Sequence, residues 1–483
     1  MLSRLFATAL LLALCAFPAA AHDTRPERPN IVLILGDDLG SRDMGFQGSR
    51  EIPTPNIDRI AAEGVSFPQA YATHQVCGPS RAGLMTGKYP QRFGYEYNNV
   101  RQLVSPASKL PFEDMGLPLT EATMADRLRA LGYRTAAYGK WHLGVAERYH
   151  PLNRGFDEFY GFLGGSRSYF AFSDSNPVTR PEDRMERGNG VFEEFEGYLT
   201  DVLAAEGAGF IARNKKQPFF LYMSFNATHA PMESLPEDRA AFPNLTGIRL
   251  EQAAMMRALD RGVGVLLEAL EREGLAKNTI VVFTDDNGGS TSVNAGVNYP
   301  YAGEKATHLE GGFRVPMAIR WPGKIAAASS YQYPVSLIDL LPTFVDAAGG
   351  DVAKLAPIDG VSLWPYLSGA NPDRPHQRLY WKRDVRGTIR DGDWKLMRFP
   401  DRPAELYNLV DDPGEQADLA SENPELVRQL FKALFAWEVT LERPLWMRTT
   451  DVEARDMEIH EYYRVPEEFF RPLEREPSSS TAP

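Results

Sequence analysis

The chain has 483 residues and a formal charge of −12, long enough to bury a large core as one large domain with a smaller one beside it. Its acidic balance excludes nucleic-acid or polyanion binding by bulk field, so any anionic ligand must be met by a local group of cations. Its two cysteines, Cys15 and Cys77, fall on either side of an expected cleavage point, which excludes a disulfide within the mature chain.

Residues 1–21 read as a secretory signal: Arg4 supplies a short positive start, residues 5–17 an apolar core and Ala19-Ala20-Ala21 a small-residue cleavage site. A periplasmic or secreted protein is therefore expected. Leu14 is too bulky for the lipid-anchoring pattern that Cys15 would otherwise suggest. No later stretch is apolar enough for an integral membrane segment. Residues 30–35, 219–225 and 279–283 are continuous apolar runs, as strands buried on both faces of a largely parallel sheet require. Residues 56–63, 120–131, 198–213 and 250–273 carry apolar residues at helical spacing. This alternation predicts an α/β fold, a large mostly parallel sheet sandwiched by helices, with its site at the carboxyl ends of the strands. Three short runs at 379–381, 385–389 and 394–399, separated by turn residues and followed by an amphipathic stretch at 424–437, predict a small antiparallel sheet plus one helix. The expected division is a main domain over 22–370, a small α+β subdomain over 371–450, and an extended, partly disordered tail over 451–483.

The residues able to do chemistry gather where those strands end. Gly36-Asp37-Asp38-Leu39-Gly40 follows the first run, and two adjacent carboxylates are costly unless a cation lies between them. Cys77 opens the run Cys77-Gly78-Pro79-Ser80-Arg81, continued by Leu84-Met85-Thr86-Gly87-Lys88. Pro79 suits the first turn of a helix, which places Cys77 at an N-terminus whose free N–H groups favour an anion, with Arg81 one turn on. Gly139-Lys140-Trp141-His142-Leu143-Gly144 follows the strand-like residues 133–138. In an extended segment Lys140 and His142 share one face, and a cation beside an imidazole suits anion binding and proton transfer. Asn226-Ala227-Thr228-His229-Ala230-Pro231 puts His229 on the loop side of the sheet. Thr284-Asp285-Asp286-Asn287-Gly288-Gly289 adds the hard oxygen donors that calcium or magnesium prefers, whereas no histidine–cysteine cluster has zinc spacing. Lys305 and the turn Glu310-Gly311-Gly312-Phe313-Arg314-Val315-Pro316 complete the set.

Over about residues 29 to 440 these motifs, in this order, resemble the formylglycine-dependent sulfatases, the type I sulfatases of the alkaline phosphatase superfamily. The segment Glu405-Leu406-Tyr407-Asn408-Leu409 with Asp412-Pro413-Gly414-Glu415 resembles that family's C-terminal subdomain. The resemblance implies that Cys77 is oxidised by a formylglycine-generating enzyme to 3-oxoalanine, whose hydrate supplies a nucleophilic hydroxyl. It implies Asp37, Asp38, Asp286 and Asn287, with the modified Cys77, as ligands of Ca2+, with Mg2+ as the alternative ion; Asp285 stands where the family varies. Arg81, Lys140, His142, His229 and Lys305 are implied as the catalytic ring, His229 facing the leaving oxygen. The expected activity is sulfuric ester hydrolysis on a sulfated oligo- or polysaccharide such as a galactan or a glycosaminoglycan. Tyr95, Tyr97, Trp141, Tyr160, Tyr169, Phe170, Tyr299 and Tyr301 are candidates for stacking on sugar faces. The rival readings are a phosphonate or phosphate ester hydrolase of the same superfamily, and a noncatalytic polysaccharide-binding protein in which Cys77 stays unconverted.

Overall fold

In the computed structural model, which describes residues 28–463, the three apolar runs become the adjacent strands Thr279–Asp285, Asn30–Gly36 and Phe219–Ser224, with Arg134–Lys140 next in line. All four are parallel, with Ile31 opposite both Phe220 and Ile280. Helices cover both faces, which is why these strands lack polar alternation. Ile31, Leu33 and Leu35 pack with residues of the helices Cys77–Thr86, Met124–Ala130 and Leu340–Ala347. Val32 and Ile34 point the other way, into a core built with Pro55–Ala62, Leu199–Arg213 and Gly247–Arg272. The helix expected from residue 120 starts later because Thr123 and Asp126 form a capping box that fixes its first turn.

The whole sheet has nine strands, in the order Ser329–Ser330, Val65–Ser66, Met317–Arg320, Thr279–Asp285, Asn30–Gly36, Phe219–Ser224, Arg134–Lys140, Glu158–Phe162 and Glu186–Arg187. Antiparallel pairs occur only towards its edges, at Met317–Arg320 and Glu186–Arg187. The second expected sheet is also present. Arg378–Arg383, Arg386–Asp391, Trp394–Arg398 and Glu405–Asn408 pair antiparallel in chain order, and Pro424–Glu438 packs on them.

One expectation is overturned. The stretch from residue 451, expected to be extended, instead opens with the helix Thr450–Tyr462. Its acidic residues are not a solvated charge run: Glu453 and Asp456, three apart on one face, pair with the buried Arg383, with Arg386 and Arg448 alongside. The expected signal segment and the end of the tail lie outside the described residues.

The small sheet is tied to the large domain by a buried ion network. Lys395 Nζ lies 3.0 Å from Glu310 Oε1 and 2.8 Å from Glu415 Oε1, all three groups being buried. Glu310 also accepts from Arg314 Nε at 2.6 Å and from the Tyr71 hydroxyl at 2.7 Å. Truncating the central cation removes an ion pair from each of two buried carboxylates, leaving Glu310 to Arg314 alone among its cations in this network. Lys395→Met is therefore expected to lower stability by about 3–5 kcal/mol, read as a shift in the urea midpoint; a midpoint within error of the parent would show that the network does not hold the two domains together.

Candidate active site

The site is assembled from strand ends. Asp37 and Asp38 follow Asn30–Gly36 directly, Lys140 is the last residue of Arg134–Lys140, and Asp286 and Asn287 follow Thr279–Asp285. The loop after Phe219–Ser224 carries His229. Because these strands are parallel neighbours, residues far apart in sequence emerge on one side of the sheet. Asp38 adopts a left-handed backbone, φ 65°, which lets its carboxylate turn back beside that of Asp37 rather than point to the opposite face. Gly139, with φ 102°, is obligatory for another reason: a Cβ there would fall 1.9 Å from the Ser224 carbonyl oxygen. Cys77 is the first residue of its helix, as Pro79 implied.

All ten residues singled out in the sequence converge here. Lys140 Nζ donates to Asp37 Oδ2 at 2.6 Å, and Lys305 Nζ reaches Asp38 Oδ1 at 2.7 Å and Cys77 Sγ at 3.0 Å. Arg81 Nε donates to Asp286 Oδ2 at 2.7 Å, and its Nη2 lies 3.7 Å from Asp37 Oδ2. Asn287 Nδ2 donates to Asp38 Oδ1 at 2.7 Å. Cys77 Sγ is 3.6 Å from Asp37 Oδ1. His229 Nε2 stands 3.6 Å from Asp38 Oδ2, while its Nδ1 lies 2.7 Å from the Ala230 carbonyl oxygen. His142 is buried and neither ring nitrogen has a hydrogen-bond partner. Its backbone is left-handed, φ 59°, so it arrives beside Lys140 by a turn beyond the strand end and not by strand alternation.

Charge crowding governs the electrostatics. Burial works against the Asp37 carboxylate, but Lys140, reinforced by His229, Arg81 and Lys305, holds its carboxyl well below the usual range. Asp285 and Asp286 go the other way, pushed up by burial and then by neighbouring carboxylates. Burial, with Asp286 adding to it, also raises the Cys77 thiol. Burial and then the Lys140 charge push His142 well below the ordinary histidine value; desolvation lowers His229. The three cations thus leave carboxylates still in need of positive charge.

The donor set fits a hard divalent cation. Asp285 Oδ1, Asp286 Oδ1 and Asn287 Oδ1 are buried and without a hydrogen-bond partner, which native interiors rarely tolerate unless an ion or water takes up the lone pairs. Asp37, Asp38, Cys77 and His229 each offer a ligand atom, all within 4.8 Å of one another. His229, read from the sequence only as a proton-transfer group, is thus also within reach of the cation position. Asp285, set aside in the sequence reading, holds the backbone locally. Its Oδ2 accepts from the Leu39 N–H at 2.8 Å and fixes the turn that presents Asp37 and Asp38.

Some supporting residues carried no signal in the sequence. Asn294 Nδ2 donates to the Asp38 carbonyl at 2.8 Å, and Asn298 Nδ2 donates to the Gly289 carbonyl at 2.9 Å. The aromatic residues proposed for sugar stacking mostly fail. Tyr95, Tyr97, Trp141, Tyr160 and Tyr169 are buried in the core, where apolar packing took them, and none of the eight lines the cavity above Cys77.

Comparison with known proteins accounts for this constellation. The family model described as Sulfatase matches residues 29–350. This chain belongs to the sulfatase family. It is a type I sulfatase of the alkaline phosphatase superfamily, and the model for the C-terminal part of N-sulphoglucosamine sulphohydrolase matches residues 303–439. The chain is 37% identical to N-acetylgalactosamine-6-sulfatase of Mus musculus over 405 residues, 80% of this chain and 75% of the mouse protein. The crystal structure of Ps i-CgsB in complex with k-i-k-neocarrahexaose superposes with a TM-score of 0.81 at 36% identity, covering 92% of this chain and 100% of that one. The phosphonate monoester hydrolase of Agrobacterium radiobacter, at 20% identity and a TM-score of 0.62, shares the fold.

A cation that binds the folded sulfatase but not its unfolded chain stabilises it by about 2.7 kcal/mol at a hundredfold excess over Kd. Removing divalent ions with a chelator is therefore expected to lower Tm, added Ca2+ to restore it, and Asp286→Ala to weaken the response markedly. A Tm indifferent to Ca2+ and Mg2+ would count against a resident cation.

Proposed function

We propose that this sulfatase removes sulfate from a sulfated carbohydrate, using a formylglycine made from Cys77 and a divalent cation, calcium by family resemblance, held by Asp37, Asp38, Asp286 and Asn287. The reading rests on one observation above all. Lys305 contacts Cys77 directly, Arg81 and Lys140 pair with the neighbouring Asp286 and Asp37, and Cys77, His142 and His229 line one cavity of about 560 Å3, room for a sugar unit and its sulfate. These residues are the local cation group that a chain of charge −12 needs in order to hold a sulfate ester. The names of relatives also favour sugars: the mouse relative is named for N-acetylgalactosamine 6-sulfate, and Ps i-CgsB was crystallised with a neocarrahexaose.

The cation, when bound, supplies Lewis-acid neutralisation of charge on the sulfuryl oxygens, and the hydrated formyl group supplies the nucleophilic hydroxyl. The remaining work belongs to this chain's side chains. Arg81 and Lys140 hold fixed positive charge beside residue 77, where attack begins, and Lys305 holds it where negative charge builds on the sulfate. His229 keeps Nδ1 against the Ala230 carbonyl, which orients Nε2 toward the site, placing a proton donor for the leaving alkoxide. His142, with both ring nitrogens uncommitted, is free to take the proton of the other hydroxyl at residue 77, the one not bonded to sulfur, as the bond from carbon to the sulfate oxygen breaks and the aldehyde is restored. The export pattern of residues 1–21 supports a periplasmic or secreted enzyme that meets its maturation enzyme before or during export.

Mass spectrometry of the peptide containing residue 77, paired with sulfate release from a panel of sulfated oligosaccharides, tests the reading. Conversion to formylglycine and release from sugars are expected, with Cys77→Ser reducing kcat by more than about a thousandfold. Full activity with only the thiol present, or turnover confined to small aryl sulfates, would sink it. His229→Ala is expected to cost about a hundredfold or more in kcat, and the loss should shrink on substrates with a good leaving group. An equal loss on all leaving groups would remove His229 from the proton-donor role.

A further inference from the structure

One wall of the cavity comes from a segment that neither family match reaches. Both matches end by residue 439, yet Arg448 and, on the helix Thr450–Tyr462, Asp451, Arg455 and Ile459 line the same cavity as Cys77, His142 and His229. Steps of four residues put Asp451, Arg455 and Ile459 on one helical face. The helix is held in place by the neighbouring face: Glu453 and Asp456 pair with Arg383, Arg386 and Arg448.

The charges on this wall are not equally committed. Asp456 is taken by Arg383 and Arg448. Asp451 sits in the first turn of the helix, where unpaired N–H groups and the macrodipole favour a carboxylate. Glu304, across the cavity, accepts from Ser292. Arg448 is partly buried, and its buried Nε has no hydrogen-bond partner, so this wall already carries donor capacity that the protein does not use. Arg455 goes further: it is exposed, it lines the cavity, and no ion-pair or hydrogen-bond partner is found for it among the described residues. Two other cations of the site differ in this respect, since Arg81 and Lys140 are buried and paired with carboxylates. Arg455 is thus a rim cation, too exposed to belong to the reacting centre.

A planar guanidinium presents a fork of donors that matches a sulfate ester or a carboxylate in two parallel hydrogen bonds. A neutral sugar hydroxyl can accept a single hydrogen bond from that fork but brings no opposite charge to it. We propose that Arg455 reads a second anionic group of the substrate, a sulfate ester or a uronate carboxylate displaced from the sulfate being removed, so that the enzyme selects polyanionic saccharides over singly sulfated neutral ones. The proposal rests on the saccharide reading of the site and adds a specificity residue to it.

Equilibrium binding separates the two. In a Cys77→Ser background, which holds substrate without turnover, three oligosaccharides of equal length are titrated at low salt: one singly sulfated and otherwise neutral, one carrying a second sulfate, and one carrying a uronate. The parent is expected to prefer the two doubly anionic probes, and the relative strength of those two identifies the source of the second anion. Arg455→Ala is expected to reduce that preference about tenfold, Arg455→Glu to abolish or invert it, and Arg455→Lys to retain part of it. Unchanged preference in both Arg455→Ala and Arg455→Glu would overturn the proposal, as would a parent that binds none of the probes or favours the neutral one. Saccharide binding that depends on Arg455, in a wild-type enzyme that releases no sulfate from any of the three, would sink the proposed reaction while leaving the recognition role standing.

Discussion

At the carboxyl ends of four neighbouring parallel strands, carboxylates and cations are packed together. Asp37, Asp38 and Asp286 face Arg81, Lys140 and Lys305 across contacts of 2.6 to 2.7 Å. Buried charges of either sign are expensive alone, and removing one partner of such a pair costs several kcal/mol through the charge left behind. The pairing is therefore a constraint on everything around it. The sheet must keep its register, the turns after the strands must adopt left-handed conformations at Asp38 and His142, and the helix bearing Cys77 must start at one particular depth.

The same constraint explains why the cluster suits an anionic ester. The buried Arg81 and Lys140 and the partly buried Lys305 are matched to carboxylates, yet Asp285, Asp286 and Asn287 keep oxygen atoms without partners. Unpartnered oxygen atoms suit a hard cation, and the cations beside them suit an anion. The small domain secures this from a distance. Lys395 on its sheet neutralises Glu310, the residue that also fixes Arg314 and Tyr71, and the following chain returns as the helix Thr450–Tyr462 to close one wall of the cavity.

Much of this was legible in the sequence for a simple reason. Continuous apolar runs at residues 30–35, 219–225 and 279–283 have few solutions other than parallel strands covered on both faces, and polar residues at their ends must then meet at one edge of the sheet. Asp37, Asp38, His229, Asp286 and Asn287 could be named because each stands within a few positions of such an end, whereas Cys77, Arg81 and Lys305 were legible through their motifs. Misreadings arose where side-chain environment decides the outcome. Tyr95, Tyr97 and Tyr169 lie near the motifs in sequence, yet packing drew them into the core. The charge-rich segment after residue 450 reads as an extended tail because its partners, Arg383 and Arg386, lie some seventy positions earlier.

By itself the sequence determined the order of strands and helices, the chemical type of each site residue and the family that combines them, since these follow from hydrophobic periodicity and from short motifs of fixed spacing. The tertiary structure alone decided which oxygens remain unpartnered, how His142 and Asp38 turn into the site, and that a helix beyond residue 449 lines the cavity. Those outcomes depend on contacts between residues hundreds of positions apart, and local spacing carries no record of such contacts.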